Sequence, residues 1–198
     1  LENKKDERKI SFIIKDASAA FVNALRRIII EEVPTMAIED VEFRKNNSAL
    51  YDEIIAHRLG LIPLKTDLKS YTPITECSCN GEGCAKCSVK LTLKFKASSN
   101  GFVHASELQS ADPKIVPVHP EMPIAKLLKG QQLEFEATAV LGKGKKHSKW
   151  SSGHAWYKHK PEVAIVGKID DPQKLVSMYP GLFELKAGKL SINEDAVI

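Results

Sequence analysis

Residues 16–34 read DASAAFVNALRRIIIEEVP, and the rest of the chain is organised around them. Phe21, Ala24, Leu25, Ile28 and Ile29 recur at three- and four-residue spacing, which sets them on one side of a helix. Asp16 is the expected N-cap, because its carboxylate can accept from the first unpaired backbone N–H groups. Pro34 lacks an N–H and disfavours helical geometry at Val33, so the helix is expected to end there. Arg26 and Arg27 fall mid-helix, away from the last turn where cations complement the dipole; taken alone they read as a solvated face. Ile28, Ile29 and Ile30 in succession cover more than one face. Such a helix is expected to pack on its own domain and also on something else.

Outward from this helix, residues 9–15 (KISFIIK) predict a short strand before it. Met36, Ile38, Val41 and Phe43 predict extended structure after it, ended by a turn at Lys45, Asn46, Asn47 and Ser48. Residues 52–61 predict a second, shorter helix closed by Gly60 and Pro63. Val89, Leu91, Leu93 and Phe95 alternate with Lys90, Thr92, Lys94 and Lys96, the pattern of a half-buried strand with a lysine-lined outer face. Leu133, Phe135, Ala137 and Ala139 repeat the pattern in 132–141, and 161–169 reads as a further strand. Residues 112–123 carry four prolines and predict an irregular connection. Residues 170–198 are weakly patterned.

Composition narrows the function. Hydrophobic residues at 43% and charged residues at 27% of 198 are ordinary for a soluble globular protein with a real core. A net charge of +4 permits a polyanionic partner without the dense basic stripe of a dedicated nucleic-acid binder. No apolar run approaches the roughly 20 residues of a membrane helix, and no signal-peptide pattern is present. A cytoplasmic location is the expectation, with no membrane partner. The most basic segment is 142–150, GKGKKHSKW. It lacks the spacing of a phosphate-binding loop, so Lys143, Lys145, Lys146, His147 and Lys149 are candidates for a basic contact loop against a partner.

All four cysteines, Cys77, Cys79, Cys84 and Cys87, fall within eleven residues as C-x-C-x4-C-x2-C. Two intervening glycines allow a tight reversal, and four thiolates can surround one tetrahedral Zn²⁺. Lys86 favours the thiolate forms. Disulfides and free thiols are the alternatives, and disulfides are disfavoured by the expected compartment and the short loop. A [4Fe–4S] cluster also takes four cysteines, but its usual ferredoxin spacing is absent. With four cysteine ligands no position stays open for water, so the metal would be structural. No catalytic set emerges: G-x-S-x-G, H-E-x-x-H and paired-aspartate signatures are absent, and the six histidines are scattered. His57 reads as a packing or hydrogen-bonding residue, and His154 and His159, flanking Trp156 and Tyr157, as packing or partner contacts.

The segments FVNALRRIIIEEVPTMAIEDVEF (21–43), NNSALYDEIIAHRLGLIPL (46–64), SADPKIVPVHPEMPIAKL (110–127) and LGKGKKHSKW (141–150) together resemble the D subunit of archaeal DNA-directed RNA polymerase. That family is the counterpart of the third-largest subunit of polymerase II and of the bacterial alpha-subunit N-terminal domain. The resemblance implies an α+β fold. Its alpha-subunit-like dimerisation domain (1–37 and 150–169) is interrupted by an inserted mixed β domain (38–149) carrying the cysteine loop 77–87. It implies a non-catalytic assembly role in a nucleotidyltransferase: pairing with the small L subunit and docking of the second-largest subunit, with DNA met only through the complex. Phe21, Leu25, Ile28 and Ile29 would face the domain core and the partner helix, and Arg26 and Arg27, matching the family's arginine pair, would contact the second-largest subunit. The loop resembles the eukaryotic zinc loop with one extra residue between its cysteine pairs.

Two departures stand out. Residues 170–198 resemble a degenerate ferredoxin-like segment, with Tyr179, Pro180, Gly181, Leu182 and Phe183 where a cysteine-containing pattern is expected; no cysteine remains there, so no iron–sulfur cluster is expected. The family's long C-terminal dimerisation helix is also not found before Ile198. The alternative from another class is a stand-alone zinc-containing nucleic-acid-binding protein using Lys90, Lys94, Lys96, Lys143, Lys145 and Lys146.

Overall fold

Alternating apolar residues in three segments build the main sheet. The computed structural model describes residues 9–167, 169–186 and 189–193. It divides into two units, Leu1–Ala155 and Trp156–Ile198. In the first unit, β1 (Thr35–Asn46), β2 (Ser88–Lys96), β4 (Gln109–Ser110) and β6 (Gln132–Gly142) form an antiparallel sheet in the order β1-β6-β2-β4. The register sets Phe43 and Leu93 on either side of Phe135, and Val41 and Leu91 on either side of Ala137. The pleat therefore sends Val89, Leu91, Leu93, Leu133, Phe135, Ala137 and Ala139 to one buried face, as their alternation predicts. Two register shifts, between Ile38 and Asp40 and between Phe43 and Lys45, mark irregularities in β1.

That face is covered by α2 (Asp52–Gly60), through Ile55 and Leu59, and by the hairpin-like pair β3 (Gly101–His104) and β5 (Pro123–Leu127), through Val103, Ile124 and Leu127. Arg58 ties α2 to β5 by donating to the carbonyls of Pro123 and Ile124, both at 2.7 Å. On the opposite face Lys90 pairs with Glu136 and Lys94 with Glu134, so cross-strand ion pairs take up these lysines. Phe135, at 2% exposure and with its ring 5.6 Å from that of Phe43, stands at the centre of the core. Phe135→Ala is expected to cost about 3–5 kcal/mol, read as a lowered denaturation midpoint.

Asp67 closes the turn after α2. Its carboxylate accepts from the Ser70 hydroxyl (2.8 Å), the Lys69 N–H (2.9 Å) and the Lys114 ammonium (3.2 Å). The Ser70 hydroxyl, then the Lys69 N–H and Lys114, pull its pKa down to about 2. A carboxyl held below its unfolded value stabilises the fold above that value, and the contribution vanishes as pH falls through the folded one. Stability is thus expected to drop on acidification toward pH 2. Asp67→Asn is expected to flatten that acid limb in denaturation midpoints measured against pH.

The long helix α1 spans Ala19–Glu31. Its N-cap is Ser18, whose hydroxyl accepts from the Phe21 N–H at 3.3 Å, and not Asp16. Asp16 instead adopts a left-handed turn with φ 56° that redirects the chain into the helix. The strands expected at 9–15 and 161–169 do not form among the described residues, where only Ser11 makes a bridge. A strand needs a neighbour for its ladder, and beyond that single bridge neither run enters a ladder among the described residues. The second unit, taken by itself, holds α3 (Pro172–Met178), capped by the Asp171 carboxylate, and a hairpin of β7 (Phe183–Lys186) and β8 (Lys189–Ile192). The helix is an addition to the expected weak pattern. Residues 1–8 and 194–198 of the expected terminal segments lie outside the described residues. The architecture is α+β with antiparallel sheets, and among the described residues no helix is long and apolar enough to cross a membrane.

Candidate functional site

The cysteine loop is built from turns. A 3₁₀ turn (Ile74–Glu76) delivers Cys77, and β2 begins immediately after Cys87, so both ends are anchored. Between them Asn80, Gly81 and Gly83 take left-handed backbone angles, φ 54°, 90° and 85°, which glycine adopts freely. They fold the second cysteine pair back onto the first. The Cys87 and Ser88 N–H groups both donate to the Cys84 carbonyl at 2.9 Å, closing the tight C-x2-C turn.

The four thiols are free, with Cys77 and Cys87 buried and Cys79 and Cys84 half-buried. Their sulfurs lie 3.5 Å apart for Cys77 and Cys84, 3.6 Å for Cys79 and Cys87, and 3.9 Å for Cys84 and Cys87; all four fall within 4.8 Å of one another. A tetrahedron of sulfurs around one Zn²⁺ at about 2.3 Å has edges of about 3.8 Å. The donor set therefore fits a single ion, whereas a cluster of four irons holds its thiolates further apart. Hydrogen bonds from the Cys79 N–H and thiol pull Cys77 down to about 6, while burial pushes Cys87 up to about 12. A bound dication would supply the charge that draws the protons from the thiols. Among the described residues these cysteines are the only group of three or more His, Cys, Asp or Glu placed to hold an ion.

The second candidate surface is α1, in which no residue is buried. Phe21 is 59% and Ile28 53% exposed, while Leu25 and Ile29 are half-covered. Both arginines are engaged within the helix: Arg26 donates to the Asn23 side chain at 3.1 Å, and Arg27 pairs with Glu31 at 3.2 Å. An amphipathic helix keeps an apolar face only where something covers it.

The basic loop is engaged inside the chain. Lys143 and Lys145 reach Glu32 at 3.1 and 4.0 Å, Lys146 reaches Glu39 at 3.4 Å, and Lys149 pairs with Glu39. His147 accepts from the Lys149 N–H through Nδ1 at 3.1 Å. With Lys90 and Lys94 also paired, five of the six lysines of the nucleic-acid alternative meet carboxylates of this chain. His57 is exposed, beside His147 and Glu39 at a shallow pocket, and His154 and His159 are exposed. Glu32 and Glu39 are the site residues that sequence reasoning missed, since only the fold brings them to the loop.

The described residues thus combine an antiparallel sheet, a four-cysteine loop and a helix with no buried residue. The sequence profile described as the RNA polymerase Rpb3/RpoA insert domain matches residues 38–155. The chain belongs to the RNA polymerase Rpb3/RpoA family. Its curated relatives include three proteins named DNA-directed RNA polymerase subunit Rpo3. The one from Pyrococcus horikoshii is 45% identical over 185 residues, covering 88% of this chain and 64% of the relative. That from Methanosphaera stadtmanae is 40% identical over 181 residues, covering 89% and 67%. That from Methanosarcina acetivorans is 47% identical over 161 residues, covering 80% and 60%. The chain thus spans 60–67% of the length of these relatives.

Proposed function

We propose that this chain is a non-catalytic scaffold subunit of a cytoplasmic DNA-dependent RNA polymerase, pairing with a small L-type subunit and then docking the second-largest subunit. Nucleotidyl transfer belongs to other chains of the complex, and this chain meets DNA only through them. The observation that carries the reading is the unburied helix α1, with Phe21 and Ile28 open to solvent in a chain whose relatives are named as polymerase subunits. Phe21, Leu25, Ile28 and Ile29 form the partner-facing surface, with Arg26 and Arg27 reaching the second-largest subunit.

In this reading 1–37 and 150–169 make the dimerisation domain, 38–149 is the insert, and 170–198 is the degenerate ferredoxin-like segment without a cluster. Cys77, Cys79, Cys84 and Cys87 hold one structural Zn²⁺, which would supply a covalent-strength crosslink for a loop that has little core of its own. Of the basic contact loop, Lys143, Lys145, Lys146 and His147 retain exposed surface for a polymerase partner, the three lysines while held by Glu32 and Glu39, and Lys149, mostly covered, anchors the loop on Glu39. The test is co-expression with an L-type subunit, followed by native mass and metal analysis. A one-to-one complex with one zinc per pair is expected. Failure to pair, persisting when the family's C-terminal helix is supplied, overturns the assembly reading.

A further inference from the structure

We propose that residues 142–152 form a clamp that caps the C-terminal end of α1 and fixes the helix against the insert sheet. The clamp itself stands on the geometry alone; its consequence for a partner rests on the assembly reading above.

Helix α1 fully buries none of its residues, so packing alone holds it weakly. Its end is held as well. The last carbonyls of a helix have no partner within the helix. Here the Ser152 hydroxyl donates to the Ile29 carbonyl, and the Lys145 N–H donates to the Glu31 carbonyl at 3.0 Å. Between them Gly144 lies so close to the Ile30 carbonyl oxygen that any β-carbon would overlap it. One loop thus caps two helix carbonyls and abuts the one between them.

Charge follows the same pattern. The last turn of α1 carries no basic residue, and Glu31 and Glu32 place the wrong sign at the negative end of the dipole. Lys143 and Lys145 supply the missing cations from outside, both on Glu32.

The far end of the loop is rooted in the sheet. Trp150 is 1% exposed; its indole N–H donates to the Val140 carbonyl at 3.1 Å, and its own carbonyl accepts from the Thr35 hydroxyl at 2.7 Å. Its ring fills the space where a side chain on Gly142 would stand. Lys146 and Lys149 lie over that ring at 4.8 and 4.4 Å, and Lys149 donates to the Ile38 carbonyl at 3.0 Å. A loop fixed at Trp150 and capping α1 at Gly144 sets the direction in which Phe21 and Ile28 are presented. Gly142 and Gly144 are the positioning residues, because each permits a contact that no other residue allows. Preorganising a contact helix reduces the ordering cost of association.

The test uses the full chain, with amide hydrogen exchange read residue by residue and affinity for an L-type subunit measured in parallel. Gly144→Val is expected to speed exchange at Lys145 and in the last turn of α1 by about tenfold, leaving β6 protected. Affinity is expected to weaken by about tenfold. Gly153→Val, where a side chain meets open space, should change neither. Unchanged exchange at the end of α1 in Gly144→Val overturns the clamp. If that variant also loses protection in β6, Ser152→Ala decides, since it removes one cap without adding bulk; no acceleration there overturns the clamp. Faster exchange with unaltered affinity overturns the positioning role. Absence of binding that persists when the family's C-terminal helix is supplied defeats the assembly reading, and exchange still judges the clamp.

Discussion

Ile28→Asp is expected to abolish pairing with an L-type subunit. Ile28 is 53% exposed in the free chain, so an aspartate there is hydrated and costs the monomer little. In a complex that covers this face the same carboxylate loses its water without gaining a partner. An unpaired buried charge costs about 3–5 kcal/mol. Each factor of ten in affinity corresponds to about 1.4 kcal/mol, so binding should weaken by about two to three and a half orders of magnitude. The check is size-exclusion co-elution together with the melting curve of the chain alone. A retained complex would place the interface elsewhere. Arg27→Ala is the contrast, since its pair with Glu31 is an exposed contact within one helix and should matter little to the fold.

Cys84→Ser is expected to strip the chain of its metal. Serine keeps the size of the side chain but offers no thiolate, so three of four ligands remain. Cys84 is the informative choice because it is half-buried, whereas Cys87 is 0% exposed and its replacement would also disturb the core. Zinc should fall from about one per chain to near none after dialysis against a chelator, and the insert should unfold at lower denaturant. Pairing through α1 should survive. Full zinc content in this variant would remove Cys84 from the ligand set.

The insert was legible because its signals are local. Alternation in 89–95 and 133–139 reports a sheet with one dry face, and the structure buries those apolar positions. Glu134, opposite Lys94, and Glu136, diagonal to Lys90, pair with lysines that the sequence shows only as a lysine-rich face. The cysteine spacing is local too, and turns at Asn80, Gly81 and Gly83 gather the sulfurs. What was not legible depends on contacts. Apolar runs at 9–15 and 161–169 have strand composition, but a strand exists only where another accepts its hydrogen bonds. In Asp16-Ala17-Ser18 either polar residue could cap, and the left-handed angle at Asp16 gives the role to Ser18. The lysines of 142–150 looked available because Glu32 and Glu39 are about a hundred residues away in sequence and adjacent only in the fold.

The irregular strand β1 bears on how long the chain can wait for a partner. It forms the outer margin of its sheet, and a margin of free N–H and C=O groups invites the same strand of another molecule. Its two register shifts bend that margin, and Glu39, Asp40, Glu42, Arg44 and Lys45 stud it with charge. Copy-to-copy strand pairing, and the precipitation that follows from it, is thereby suppressed on this side. A blunted sheet margin thus works against strand pairing between copies while leaving the apolar helix face open.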